Sequence, residues 1–307
     1  MSIQKDPGVG RGLFLGVGAY LIWGSFPLII IMLSFASPLE VVTWRIVFGF
    51  LVAALLTTVT RSWGAIVAVF SDRNQMKWMI LATGFIGLNW TVYVIGIQNQ
   101  QTIETSLGYF INPLVTILLA VFFLGEKLSR LQWVATGFGA LAVVVLSFDY
   151  GRLPWIALVL AGSFGIYGLA KNKLGGRVSA VNSFAIESGL LLPLALVQIT
   201  ILQLSGGLQF AQQGFWGSAG LIFFGVMTAI PLILFGTAAK LLPLRYLGFI
   251  QYMTPIIQFG IAIFVFQEPM PAARWVGFAL VWTGLAVLIF DAIRSARANP
   301  AVAGPSL

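Results

Sequence analysis

The chain has 307 residues, of which 59% are hydrophobic and only 8% charged, with a mean hydropathy of +0.97. An ordinary soluble domain carries about a quarter charged residues, so nine acidic and seventeen basic side chains cannot clothe a water-facing surface of this size, and a soluble globule is excluded. With no cysteine and no histidine, disulfide frameworks, thiolate catalysis and the usual metal sites fall away, and the net charge of +8 lacks the clustered basic face that nucleic-acid binding needs.

Apolar runs bounded by charges predict ten spans, at 11–33, 38–60, 76–98, 105–124, 131–149, 154–170, 180–202, 215–238, 247–266 and 274–291. Each comes near the roughly 20 residues that a helix needs to cross a hydrocarbon core, whereas barrel strands would alternate over about ten. The expectation is an all-α membrane protein. Span 1 follows Lys5 and Arg11 like a signal peptide, but no small-residue cleavage site precedes a polar mature chain, so it is expected to stay.

Ionisable groups inside spans are costly and therefore candidates for function. Span 2 begins with Glu40, which complements a positive helix N-terminus, and holds Arg45 deep inside; span 3 contributes Asn89 and Tyr93. Span 4 opens at Glu104, which either caps its helix or guards a cavity mouth, and is interrupted at Asn112-Pro113. Spans 5 and 10 are almost purely apolar and end in Asp149 and Asp291, at helix ends rather than paired inside the bundle as an aspartyl protease would need. These two spans are expected at the periphery, facing lipid or a second copy in a homodimer. Span 6 carries Tyr167 and span 7 carries Glu187; span 8 has Ile230-Pro231, and span 9 has Gln251, Tyr252 and Thr254-Pro255. With Trp23 in span 1, these residues form the expected translocation set: aromatic surface with a few amides, suited to a small organic molecule rather than a bare ion. Tyr109 and Gln258 share that composition, while Gln98 and Asn99 belong to the interfacial belt. Pro113, Pro231 and Pro255 are expected to break their helices near mid-membrane, each freeing a carbonyl that protein or a wet cavity must receive; each alone also reads as a simple kink.

Sliding the chain against itself by 142 residues carries Pro113 onto Pro255, Glu126 onto Glu268, Trp133 onto Trp275 and Asp149 onto Asp291. Coincidence of such rare residue types points to a duplication: a first repeat over 11–149, a second over 153–291, and a tail at 292–307. Five spans per copy force the second to cross in the opposite sense, the inverted-repeat plan of secondary transporters. The same offset aligns Arg45 with Glu187, which are expected to meet as a static or switched ion pair. Fourteen lysines and arginines fall on one side of the spans, against Arg152 and Arg274 on the other, placing both termini in the cytoplasm. The 34 glycines read as close helix packing, and no Walker-type nucleotide motif occurs.

Several stretches resemble the drug/metabolite transporter superfamily, EamA type, in its RarD-like branch. They include Trp23-Gly24-Ser25-Phe26-Pro27, Asn89-Trp90, Ser106 through Leu114, Leu124-Gly125-Glu126-Lys127, Phe164 through Gly168, Thr228 through Leu232 and Leu247 through Tyr252. The chain departs modestly at Gln267-Glu268-Pro269, where a glycine often precedes the acid. The resemblance implies ten helices in two inverted repeats and a permease of the cytoplasmic membrane, without fixing a substrate. The expected activity is transport by alternating access, with or without proton coupling; Glu187 is the first candidate carrier. A scaffold or sensor without flux is the competing reading, expected if the polar residues pack into a solid core.

Overall fold

The computed structural model describes residues 7–125, 127–174, 178–242 and 244–298. Among them every regular element is helical: α1 (Pro7–Met32), α2 (Pro38–Val59), α3 (Trp63–Ser71), α4 (Arg73–Gln98), α5 (Thr102–Leu124), α6 (Arg130–Tyr150), α7 (Trp155–Leu174), α8 (Ala180–Leu204), α9 (Gly214–Leu241), α10 (Leu244–Ile250), α11 (Met253–Gly260) and α12 (Ala272–Ala298). A π-turn, Ile261–Val265, extends α11. Local chemistry sets the ends. Ser37 and Ser179 each accept the N–H three residues on, Ser129 and Gln132 close a reciprocal capping box, and Gly125 and Gly151 end α5 and α6 in the left-handed conformation.

Nine described stretches are long and apolar enough to cross a membrane, one of them the composite Tyr246–Val265. Helix α7 falls outside that set because its last turn carries Lys171 and Lys173, yet it packs lengthwise against both α4 and α5. The polarity of the molecule is inverted as lipid requires: Phe148 and Leu204 are 85% and 84% exposed, while Glu40, Arg45, Glu104 and Glu187 are buried. The molecule is therefore an all-α, multi-pass membrane protein.

Three expectations need correction. Helices α5 and α9 run unbroken through Pro113 and Pro231; each proline removes only one hydrogen bond, which a packed helix absorbs. The break lies instead at Gln251 and Tyr252, one turn before Pro255, where the carbonyl of Gln251 lacks its proline-side donor. The stretch between spans 2 and 3, read as a loop, contains α3, a nine-residue helix too short to span that buries Ile66 and Val69. Helix α12 also runs to Ala298, past the predicted end of span 10, while residues 299–307 of the tail, and Glu126 of the repeat comparison, lie outside the described residues.

Packing follows the 142-residue offset. Helix α1 lies on α9 as α7 lies on α4, α2 pairs with α8, and α6 pairs with α12. Glycine permits the closest approaches: a Cβ on Gly108 of α5 would stand 2.9 Å from the Ala157 carbonyl oxygen of α7, and one on Gly284 of α12 would stand 3.0 Å from that of Ala135 in α6.

Polar ties gather at the two ends of the bundle. At the end away from the start of α1, Glu40 accepts the N–H groups of Gln209 and Phe210, and Glu268 those of Thr102 and Ile103 at the start of α5. Glu104 accepts the Ile156 N–H at the start of α7 and pairs with Arg152 at 2.8 Å; Asp149 pairs with Arg274 at 2.9 Å. At the end carrying the start of α1 and the end of α12, Ser62 donates to Asn182 and Ser129 donates to Asp291. Four of these ties form two pairs that interchange under the 142-residue offset. Glu40 in α2 holds the segment after α8 while Asn182 in α8 holds the segment after α2, and Asp149 reaches the start of α12 while Asp291 reaches the start of α6.

Candidate functional site

Helical spacing delivers one face from each of several helices to a common cavity of about 290 Å³. Residues three, four and seven apart share a helix face, so α4 presents Asn89 and Tyr93, α7 presents Phe164 and Tyr167, α8 presents Phe184 and Glu187, and α9 presents Thr228, Leu232 and Phe235. Helix α1 adds Tyr20, Trp23 and Phe26, α2 adds Arg45, and α5 adds Tyr109, Asn112 and Pro113. The break before α11 contributes Gln251 and Tyr252, followed by Thr254, Pro255 and Gln258.

Of the ten expected translocation residues, nine line this one cavity: Trp23, Arg45, Asn89, Tyr93, Asn112, Tyr167, Glu187, Gln251 and Tyr252. Glu104 stands apart from it, tied to Arg152 and the Ile156 N–H. Pro113 and Pro255 reach the lining; Pro231 is not among the lining residues.

The two buried charges do not pair with each other, and the expected ion pair is corrected here. Glu187 is held by Lys171, whose Nζ lies 2.9 Å from Oε1, and it also accepts from Ser183 at 3.0 Å and from the Tyr167 hydroxyl at 3.3 Å. Lys171 also donates to Ser183. Arg45 instead sits in an aromatic box, its guanidinium carbon 4.4 Å from the centre of the Trp90 ring, 5.4 Å from Phe224 and 5.8 Å from Phe26. Equivalent positions in the two halves have thus met their burial costs by different means: a full set of donors for the carboxylate, ring faces for the guanidinium. Lys171 escaped the sequence reading because span 6 was ended one residue short of it. The spacings Tyr167 to Lys171 and Ser183 to Glu187, four residues each, carry the signal once α7 is extended to Leu174. Nothing in the sequence separates the three box aromatics from the many lipid-facing ones.

A chain of amides and phenols crosses the cavity wall. Asn89 Nδ2 donates to the Leu160 carbonyl and to Ser163, both at 3.1 Å, and its Oδ1 accepts from the Tyr109 hydroxyl at 3.3 Å. Gln258 Nε2 donates to the Tyr93 hydroxyl at 2.9 Å and to the Trp23 carbonyl at 3.4 Å. The Trp23 carbonyl fixes the orientation of the Gln258 amide, because a flipped amide would oppose two acceptors. Three lining groups keep buried atoms without a partner among the described residues: Arg45 Nε, Asn112 Oδ1 and Gln258 Oε1.

An all-α membrane bundle with a polar, aromatic-lined cavity among its helices has the architecture of a membrane transporter. The EamA-like transporter family matches residues 10–148. Over 290 residues the chain is 43% identical to Protein RarD of Streptomyces exfoliatus, covering 94% of this chain and 91% of that one. It is 34% identical over 287 residues to Protein RarD of Escherichia coli strain K12, covering 94% and 96%. It is 37% identical over 295 residues to an uncharacterized transporter of Pseudomonas aeruginosa, covering 94% and 97%. A solved crystal structure superposes with a TM-score of 0.58 at 17% identity, covering 93% of this chain and 98% of that chain, a likeness of fold alone. The chain belongs to the EamA-like transporter family of the drug/metabolite transporter superfamily, in its RarD-like branch.

Proposed function

We propose that this protein is a permease of the cytoplasmic membrane that moves a small organic metabolite or drug-like solute by alternating access. The observation that carries the reading is the cavity itself, built from both halves of the chain and floored by a helix break. Its volume of about 290 Å³ lies at the low end for ligand pockets and suits a compact solute. A solid polar core, which a scaffold or sensor would favour, is not what these residues make.

Ten spans follow if α7 crosses the membrane beside α4 and α5, and the 14 to 2 distribution of basic residues then puts both termini in the cytoplasm. The interchanged ties of Glu40 with Asn182 and of Asp149 with Asp291 support two inverted five-helix repeats. In this reading the carboxylate-tied end is the closed outer gate and the end bearing the termini is the cytoplasmic entrance. Helices α6 and α12, paired with each other, face lipid or a second copy in a homodimer. Glu187 is the proton carrier where transport is coupled: movement of α7 against α8 would withdraw Lys171 and leave the carboxylate without its counter-charge.

Flux into sealed proteoliposomes under an imposed pH gradient tests the proposal, with wild type beside Glu187→Gln. Gradient-driven uptake that the variant loses while still exchanging solute supports a proton-coupled permease. Uptake indifferent to gradient and variant removes the proton step, and no flux for any of a panel of amino acids, metabolites and amphipathic drugs overturns the permease reading.

A further inference from the structure

We infer that the unpaired guanidinium of Arg45 is the counter-charge for the carried solute, which is a small aromatic or heteroaromatic monocarboxylate bearing a hydrogen-bond donor. This rests on the permease reading and deepens it.

The argument is one of charge and of unmet hydrogen bonds. Arg45 and Glu187 are the charged residues that line the cavity, and Glu187 is already neutralised by Lys171. Arg45 is 5% exposed, forms no ion pair with a described residue, and keeps Nε without an acceptor. Ring faces partly replace the water it has lost, but they accept no in-plane hydrogen bond, and a guanidinium presents five N–H donors in a flat fork. That fork matches a carboxylate, which can take two parallel bonds from it. The lining therefore carries one uncompensated positive charge, and a monoanion restores neutrality where a cation or a neutral solute would not.

The rest of the solute follows from the other lining groups. Gln258 Oε1, in an amide oriented by the Trp23 carbonyl, is an acceptor without a donor, so the solute should offer an O–H or N–H group away from its carboxylate. No free carboxylate faces the cavity to receive an ammonium, which disfavours amines. Trp23, Tyr109 and Phe164 supply flat apolar walls for a ring.

Binding to the purified full-length chain in detergent micelles tests this without any transport assay. The probes are benzoate, para-hydroxybenzoate, nicotinate and an indole carboxylate at millimolar concentration, each beside its amide, with tyramine as the cation, read as ligand-induced thermal stabilisation. The expected result is that acids bind at least tenfold tighter than their amides, para-hydroxybenzoate binds tighter than benzoate, and tyramine does not bind. This comparison needs wild type alone, so it survives if an Arg45 variant fails to fold. Arg45→Gln is expected to erase the preference for acids, and Arg45→Lys to keep the preference at reduced affinity because charge is retained and the planar fork lost. If no acid outbinds its amide, or Arg45→Gln binds acids as wild type does, the inference is overturned. Acid-selective binding without flux in proteoliposomes would leave the anion site standing and fail the permease reading; flux without acid preference would do the reverse.

Discussion

At one end of the bundle Glu40, Glu104 and Glu268 are buried and each accepts backbone N–H groups from a neighbouring segment, with Arg152 and Arg274 adding ion pairs to Glu104 and Asp149. At the other, Ser62 donates to Asn182, Ser129 donates to the Asp291 carboxylate, and Lys171 in the last turn of α7 pairs with Glu187 of α8. The first end seats Glu268 and Glu104 on the starts of α5 and α7, where free N–H groups and the helix dipole favour negative charge. The two ends are thus fastened differently, one by carboxylates on backbone N–H groups and the other by ties between side chains.

The sharpest way to break the contrast is Glu104→Ala, which strands the Ile156 N–H and removes the partner of Arg152. Arg152 is partly exposed and can turn to solvent, so the loss should be about 2 kcal/mol rather than the larger cost of a fully buried pair. Thermal unfolding in micelles measures it, and an unchanged midpoint would mean that the ion pair does not fasten this end. At the other end Ser129→Ala removes both a helix cap and the bond to Asp291, with an expected loss of about 1 kcal/mol in the same assay. A loss larger than that of Glu104→Ala would reverse that order.

Acidity sharpens the comparison further. Burial pushes the Glu268 carboxyl above the usual glutamate range, against the opposing pull of the Ile103 and Thr102 donors. A raised value means the folded chain holds the proton more tightly than the unfolded one. The contribution is complete below the ordinary glutamate value and is lost as pH rises through the raised one. Stability should therefore fall from mildly acid to neutral pH, and Glu268→Gln should flatten that slope. Persistence of the slope in the variant would assign it to another group.

The smallest effect concerns one residue beside it. Gln267 has φ of 53°, and its mate under the 142-residue offset, Gly125, has φ of 69°. Both sit in the left-handed region, which explains why glycine is common before the acid and what this chain gives up by using glutamine. Gln267→Gly should raise stability by about 1 kcal/mol, and a decrease would mean that the glutamine side chain makes contacts worth more than its strain.

The apolar helices and most of the cavity lining were legible because lipid writes them in composition: long apolar runs, and rare polar residues at helical spacing within them. Nine of the ten expected residues face one cavity for that reason. Register along one helix was readable, but partnership across helices was not. The offset aligned Arg45 with Glu187, yet alignment along the chain does not place two side chains in contact, and whether they meet depends on neighbours such as Lys171 that no periodicity reveals. Proline misled in the same way. Its missing hydrogen bond predicts weakness in a helix, but α5 and α9 stay whole where packing holds them, and the chain parts instead at Gln251 and Tyr252.

Helix α7 carries one last consequence, which concerns biogenesis. Its buried face, including Ile156, Leu160 and Ser163, packs on α4 and α5. Both of those helices precede it in the chain. They are made before it emerges from the ribosome, so the surface on which α7 packs already exists as synthesised chain when α7 appears.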